Sequence, residues 1–265
     1  MAINNHQSAA VIRDKLDIKI FSQYFSGFSR AQLELEDARL IAQLYARLEN
    51  TISVLSDLKS RKSYLYLGGV ANQLGFAPTL TDIDSIWEDE LLNRVHPDDL
   101  EKKYRLEFRF FQLLKSIDPA ERINYSLITK LRIKNLEGNY IAIKHRVLYL
   151  SSTSDGDVLF ALCLYDIIYD HPGFDVPDGL IINTGTGEII NSEQEKFDDM
   201  LSAREVQILQ MISTGLRSKE IAAKLSLSLH TVNRHRQNIF KKLNVANAIE
   251  ACRLARATGL LHPAL

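Results

Sequence analysis

The strongest constraint on this chain lies in residues 201–265, where helix starts recur at short intervals. Ser202 and Glu205 have the spacing of a capping box, in which the serine oxygen takes a free backbone N–H and the glutamate reaches back to the cap. Val206, Leu209 and Ile212 then form one apolar stripe, and Gly215 ends the helix. A second helix is expected from Ser218, burying Ile221, Ala222 and Leu225, and Ser226-Leu227-Ser228 reads as a tight turn with Ser228 as the next cap. On the third helix Val232, Ile239 and Leu243 should face inward, leaving His230, Asn233, Arg234, Gln237 and Lys241 outside. Asn247 and Glu250 repeat the capping spacing for a fourth helix, on which Ile249, Ala251 and Leu254 are expected to be buried. These residues describe a small all-α domain of four helices.

Charge sets this domain apart from the rest. The net charge of -1 conceals ten Lys and Arg against three acids in residues 201–265, and twenty-two against thirty in residues 1–200. A basic end on an acidic body implies a polyanion as partner of that end only. Asn and Gln can bond adenine edges and Arg can bond guanine, so the outer face of the third helix has the chemistry of the DNA major groove. A basic helix face is more commonly just solvated. What raises this one above that reading is the ordered set of motifs around it.

Those motifs resemble the LuxR-type (GerE-like) helix-turn-helix family: Leu201-Ser202-x-x-Glu205, Gly215-Leu216, Lys219-Glu220-Ile221-Ala222, Thr231-Val232-x-x-His235 and Asn238-Ile239-x-x-Lys242-Leu243 match in order and spacing. The resemblance implies base reading by Asn233, Arg234 and Gln237. It implies phosphate binding by Lys219, Thr231, His235, Asn238 and Lys242, and the neighbouring Lys241 is added to that set for its charge. His235 lies between two core positions and could pack as well as bind. Ala248 stands where the family usually has arginine, so one contact of the family is lost or replaced.

Upstream, residues 31–60 contain no Gly or Pro, and Ile41, Leu44, Leu48, Leu55 and Leu58 follow a three-four spacing with Thr51 as the weak member. One long helix is expected there, packed on its own domain or serving as a dimer seam. Tyr64-Leu65-Tyr66-Leu67 reads as a strand ending at Gly68-Gly69, Val70 to Phe76 as a second short segment, and Asp84 to Asn93 as short helical pieces. His96-Pro97-Asp98-Asp99 starts a helix to about Lys115. Three strands follow, Asn124–Ile133, Tyr140–Leu150 and Val158–Ile168, with Leu136-Glu137-Gly138-Asn139 as the first turn. Residues 64–168 resemble a PAS domain, on the strand with Gly75-Phe76, the His-Pro-Asp-Asp helix start and the final hairpins. The expected division is a helical segment over 1–62 as a candidate dimerisation helix, a PAS-like sensor over 63–169, a linker over 170–199 and the helix-turn-helix domain over 200–265. Within the linker, turns are expected at His171-Pro172-Gly173 and Val176-Pro177-Asp178-Gly179, a small hairpin over Leu180–Asn183 and Gly187–Ile190, and a polar acidic stretch over Asn191–Asp199.

The fold class is therefore α+β, a PAS-like antiparallel sheet with N-terminal helices followed by the four-helix domain. The PAS resemblance implies an internal cavity that could hold a small molecule, and no cofactor or metal is evident. His96 reads as a helix cap rather than a haem ligand, Trp87 as core, and alternation leaves open which face His145 presents. Neither Cys163 nor Cys252 lies in a flavin-photoreactive or metal-binding motif, and both are expected to be buried small apolar residues. No Ser/His/Asp set or phosphate-binding glycine loop is visible, so no enzyme is expected. The N-terminus lacks a basic segment with an apolar core, and Val158 to Tyr165 is too short for a bilayer span, which points to a cytoplasmic protein without a membrane partner. The expected function is a one-component transcriptional regulator, a homodimer on double-stranded operator DNA. The alternatives are a response-regulator-like or acyl-homoserine-lactone-type regulator with the same reader.

Overall fold

The computed structural model describes residues 2–26, 34–76, 82–169, 177–190, 201–243, 245, 247–257 and 261. The turn expected at His171-Pro172-Gly173 and the acidic stretch Asn191–Asp199 lie outside the described residues. The chain forms two compact units, residues 1–9 with 24–194 and residues 10–23 with 195–265.

The first unit is built on one antiparallel sheet. Its strands are β1 (Ile52–Asp57), β2 (Lys62–Leu67), β3 (Asp82–Ile83), β4 (Tyr125–Lys134), β5 (Tyr140–Ser152), β6 (Val158–Ile167), β7 (Gly179–Asn183) and β8 (Ile189–Ile190), in the spatial order β3-β2-β1-β6-β5-β4-β7-β8. The central five, β2-β1-β6-β5-β4, place the first hairpin beside the last strand of the meander, which is the PAS arrangement. β6 has partners on both edges, Val54 opposite Cys163 on one side and Val147 opposite Cys163 on the other. Its burial is near-continuous from Val158 to Leu162, the pattern of a strand covered on both faces.

Helix α2 (Leu35–Leu48) covers one face. Ala38, Ala42 and Ala46 recur every fourth residue and are buried, so small side chains let the helix lie close over Leu55, Leu162 and Leu164. On the other side lie α3 (Gly69–Leu74), α4 (Asp89–Leu92) and α5 (Pro97–Lys115). His96 caps α5 with Nδ1 accepting from the Asp98 N–H at 3.3 Å, and Pro97 occupies the first turn, as its sequence implies. Asp99 then accepts from the Arg132 backbone N–H at 2.7 Å and pairs with its guanidinium at 2.7 and 2.8 Å, joining the start of α5 to β4. The Leu136–Asn139 turn is present, with Gly138 at φ 81°.

Three expectations fail here. Residues 31–60 are not one helix: α2 ends at Leu48, Asn50 takes a left-handed φ of 55°, and Ile52–Asp57 is strand β1. Asparagine is tolerated in that conformation and ends the helix as glycine would, while Thr51, Ile52 and Val54 supply the β-branched run of a strand. Leu55 and Leu58 are consequently core residues of the sheet unit and not members of a helical seam. Val70 to Phe76 forms α3 where a second strand had been counted, its end set by Gly75 at φ 74°. Finally, the boundaries at 63 and 169 cut across the paired strands of one sheet: the hairpin expected in the linker forms as β7 and β8 but joins the sheet, Leu127 on β4 facing Ile181 on β7.

The α2-to-sheet approach depends on Gly68. A Cβ there would lie 2.5 Å from the Ala46 carbonyl oxygen and 2.6 Å from that of Thr51. We predict that Gly68→Ala lowers the stability of the sheet unit by about 1–3 kcal/mol, the usual cost of overpacking, measured by urea unfolding followed through circular dichroism. An unchanged midpoint would mean that the close approach has no energetic role.

Candidate nucleic-acid interface

The second unit contains α6 (Ala203–Ser213), α7 (Ser218–Leu225), α8 (Leu229–Leu243) and α9 (Ala248–Ala257), together with residues 10–23 of α1 (Ala2–Phe21). Helix α6 begins with a closed capping box: Glu205 N–H donates to Ser202 Oγ at 3.2 Å, and Ser202 N–H to Glu205 Oε2 at 2.8 Å. Its end is set by Gly215, at φ 88°, with the Leu216 N–H reaching back to the Met211 carbonyl at 3.1 Å. Helix α7 starts where Arg217 N–H donates to Glu220 Oε2 at 2.7 Å and ends at Ser226 in the left-handed conformation, φ 52°. There the Leu227 N–H bonds the Ala222 carbonyl at 2.9 Å, closing the turn between α7 and α8. Ser228 caps α8 as its position implies, its Oγ accepting from the Thr231 N–H at 3.0 Å.

Val232, Ile239 and Leu243 of α8 are buried, together with Ile208, Leu209, Ile221 and Ala222 from the helices against it. With about 100° between successive residues of a helix, the other positions sort themselves around that inward row. Asn233, Arg234, Gln237, Asn238 and Lys241 are exposed, as are His230 and, on the first turn of α7, Lys219. Thr231, His235 and Lys242 are half-buried and share one flank of α8 with Asn238, at spacings of four, seven and eleven from Thr231. Thr231 is already engaged in the cap, its Oγ1 lying 2.8 Å from Ser228 Oγ. His235 has Nδ1 shut away from solvent with no hydrogen-bond partner among the described residues.

Lys242 has a structural partner that the motif did not announce. Its Nζ lies 2.7 Å from Oε2 of the buried Glu205, so one carboxylate caps α6 and also ties that helix to α8. Burial pushes the Glu205 carboxyl up, but the bonds from Lys242 and Ser202 outweigh it and hold the group below its usual range. Lys19 of α1 belongs to the same electrostatic neighbourhood. Burial and then the positive charge of Lys242 lower its pKa, with Glu205 opposing. Neither Lys19 nor the Glu205–Lys242 link was legible beforehand, because contacts between distant segments leave no local pattern.

The fourth helix departs from expectation. Asn247 caps it, its Oδ1 accepting from the Glu250 N–H at 3.0 Å, and Ala251 is buried. Ile249, expected inside, is 82% exposed. The inward row is Ala251 and Ala255, and two residues of helix turn Ile249 about 200° away from Ala251. The side chain of Leu254 lies outside the described residues.

In the sheet unit, His145 faces inward and is fully buried, stacked on Tyr165 with ring centroids 4.6 Å apart. Trp87 is buried and meets Tyr104 edge-on. Cys163 and Cys252 are both free and of intermediate exposure, where full burial was expected. No group of three or more His, Cys, Asp or Glu able to hold a metal occurs among the described residues, and no described helix is long and apolar enough to cross a membrane.

These features define a PAS-like antiparallel sheet unit and a helix-turn-helix unit with a polar, cationic outer face on its third helix. Residues 199–255 match the family described as bacterial regulatory proteins, luxR family, and the C-terminal domain belongs to it. Over 69 residues the chain is 45% identical to the uncharacterized response regulatory protein YgeK of Escherichia coli, spanning 26% of this chain and 47% of that protein. Over 76 residues it is 41% identical to the oxygen regulatory protein NreC of Staphylococcus carnosus, spanning 29% and 35%. The chain thus spans less than half the length of these curated relatives. A solved Vibrio cholera VqmA–ligand–DNA complex aligns with 87% of this chain and 91% of its own at 17% identity and a TM-score of 0.30.

The Glu205 link makes a testable statement about pH. Because the folded-state pKa is depressed, Glu205 contributes stability above its unfolded value, near 4.5, and that contribution disappears as pH falls through the folded value. We expect Glu205→Gln to lose about 1–3 kcal/mol at neutral pH, the range for a hydrogen bond to a charged group, and to show a shallower decline below pH 4.5 than the wild type. Parallel acid-unfolding curves for the two proteins would show that Glu205 does not carry this dependence.

Proposed function

We propose that this protein is a sequence-specific transcriptional regulator of the one-component kind, which binds double-stranded promoter DNA as a homodimer and carries a PAS-like unit for signal sensing, dimerisation or both. The observation that carries the reading is the division of α8 into a buried row, Val232, Ile239 and Leu243, and an exposed row that includes Asn233, Arg234 and Gln237, within a luxR-family domain. Asn233, Arg234 and Gln237 read base edges in the major groove, and Lys219, Thr231, His235, Asn238, Lys241 and Lys242 hold the phosphates that flank them. Lys242 keeps two ammonium N–H groups beyond the one given to Glu205, which suits a residue that both braces the domain and meets DNA. A phosphorylated receiver ahead of the reader would require alternating strands and helices with a parallel sheet, whereas every strand pair among the described residues is antiparallel. The antiparallel pairing therefore favours a regulator that senses directly.

The dimer is assigned to α2. Its alanine face is used by the sheet, while Leu40, Leu44 and Leu48, spaced by four, remain exposed on another face. The first turn of the helix is acidic, Glu36 and Asp37, and the last is basic, Arg47. Two copies packed antiparallel about a two-fold axis bring the acidic end of each beside the basic end of the other with the leucines between them.

Two measurements test this reading. In a gel shift on its own promoter, the protein should bind with a salt-dependent affinity; Arg234→Ala and Gln237→Ala should relax preference among sequences by about 1–3 kcal/mol, and Lys219→Ala should weaken all sequences alike. Equal binding of all sequences by the wild type would overturn the base-reading assignment. Leu44→Glu should convert the dimer to a folded monomer in sedimentation equilibrium, and a variant that stays dimeric would remove α2 as the interface.

A further inference from the structure

The sheet unit contains a cavity of about 260 Å³ at the end of β1 and β2 nearest α4. Ile52, Leu65, Leu67, Phe76 and Trp87 give it an apolar and aromatic wall, and the buried residue Glu88 is part of its lining. Asp89 and Glu90, both exposed, also contribute, and no basic side chain does. Every ionisable group on the wall is therefore acidic.

Behind the wall lies a cluster of buried ionisable side chains. Glu88 accepts a hydrogen bond from the Tyr165 hydroxyl through Oε1. Tyr165 stacks on His145, and His145 Nε2 is 3.8 Å from Oε1 of Glu107, which is itself 2.8 Å from the ammonium of Lys103. Glu88, Lys103, Glu107, His145 and Tyr165 are all at least nine-tenths buried. Burial would push Lys103 down, but the carboxylates of Glu107 and Glu88 more than offset it and keep the amine protonated. Burial and then the charge of Lys103 hold His145 well below its ordinary value, as neutral imidazole. Two carboxyl side chains, Glu107 and then Glu88, thus act on the one buried ammonium. Lys103 has Glu107 as its close partner, and Glu88 is the buried acidic residue on the cavity lining. Arg94 is not its counterion: the guanidinium lies 4.2 Å from the Phe76 ring centroid, 3.6 Å from Glu90 and in contact with the Leu74 carbonyl.

A buried charge is stable when paired, and an apolar pocket ending in one carboxyl selects the pairing group by charge and the rest of the ligand by shape. Building on the reading of the PAS-like unit as a sensor, we propose that this cavity binds a small organic cation, an amine with a compact apolar body, whose ammonium pairs with Glu88 while its body packs on Trp87 and Phe76. The aromatic rings add cation–π attraction to the carboxylate, a combination that rejects neutral and anionic molecules of the same shape.

Trp87 is the only tryptophan in the chain, so its fluorescence reports on the cavity of the full-length protein without a label. The probes are phenethylamine and cyclohexylmethylamine, with 2-phenylethanol and phenylacetate as neutral and anionic counterparts. The amines should change Trp87 emission saturably and raise the melting temperature, and the alcohol and the acid should do neither at the same concentrations. Glu88→Gln keeps an acceptor for Tyr165 and should weaken amine binding about tenfold or more, the scale of a lost charge-assisted hydrogen bond. Leu65→Phe keeps the charge but fills the cavity, should abolish binding, and decides the matter if Glu88→Gln does not fold. Equal binding of the alcohol or the acid, unchanged amine binding in a folded variant, or no saturable response to either amine would each overturn the inference. A gel shift on the same preparation separates the two readings: specific DNA binding without an amine response sinks the cation site and leaves the regulator standing.

Discussion

Strand β6 is the constraint on which the sheet unit depends. It is paired along both edges and covered on both faces, so its alternating side chains serve two different layers. Leu162 and Leu164 meet the alanines of α2, and Tyr165 turns the other way to hold Glu88 and stack on His145. One register fixes both, since a slip by a single residue would present Tyr165 to α2 and Leu164 to the polar cluster. The apolar layer and the buried charges are thus specified together, and the cost of burying the latter is borne by the paired strands around them.

In the C-terminal unit a single carboxylate has the corresponding role. Glu205 closes the cap of α6 through Ser202 and holds Lys242 of α8 across the domain. A capping interaction alone stabilises one helix by about 0.5–2 kcal/mol and says nothing about its neighbour. Adding Lys242 makes the same group a fixed point between two helices. The outer face of α8 is useful for reading only if the helix cannot roll, and the buried row of Val232, Ile239 and Leu243 resists rolling from one side while the Glu205–Lys242 bond resists it from the flank.

How much of this was legible in the sequence depended on range. Caps and turns are local, and Ser202, Ser228, Asn247, His96 and Gly138 all act where their chemistry placed them. The spacing of Val232, Ile239 and Leu243 identified the buried side of α8 because a helix repeats every 3.6 residues or so. The same logic failed over residues 31–60, where a three-four pattern ran unbroken through Asn50 into a strand. Neither Gly nor Pro marked the change, and a left-handed asparagine is a weaker signal. Nothing in the sequence singled out Lys103 and Glu107, since a Lys–Glu pair four residues apart on a helix is usually a solvated pair. Nothing local reveals that α5 turns this one toward Tyr165 and His145. The pairing of β7 with β4 and the bond between Glu205 and Lys242 are long-range facts, set by packing rather than by pattern.

The two faces of α2 connect the architecture to the proposed reading of DNA. Alanines permit close approach to the sheet, while the leucines of the same helix stay exposed among the described residues. In the proposed dimer a second copy covers them. Once the units are joined, the second reader meets its half-site as an intramolecular event, so affinity rises through effective concentration without any new contact to DNA. The phosphate-binding cations are doubled as well, which steepens the dependence of affinity on salt in proportion to the number of phosphates neutralised. The acidic body, with thirty carboxylates against twenty-two cations in residues 1–200, works against binding elsewhere on the polyanion. On this proposal specific binding requires both readers to be seated, and an interaction confined to one unit, the leucine face of α2, determines how well the other can discriminate.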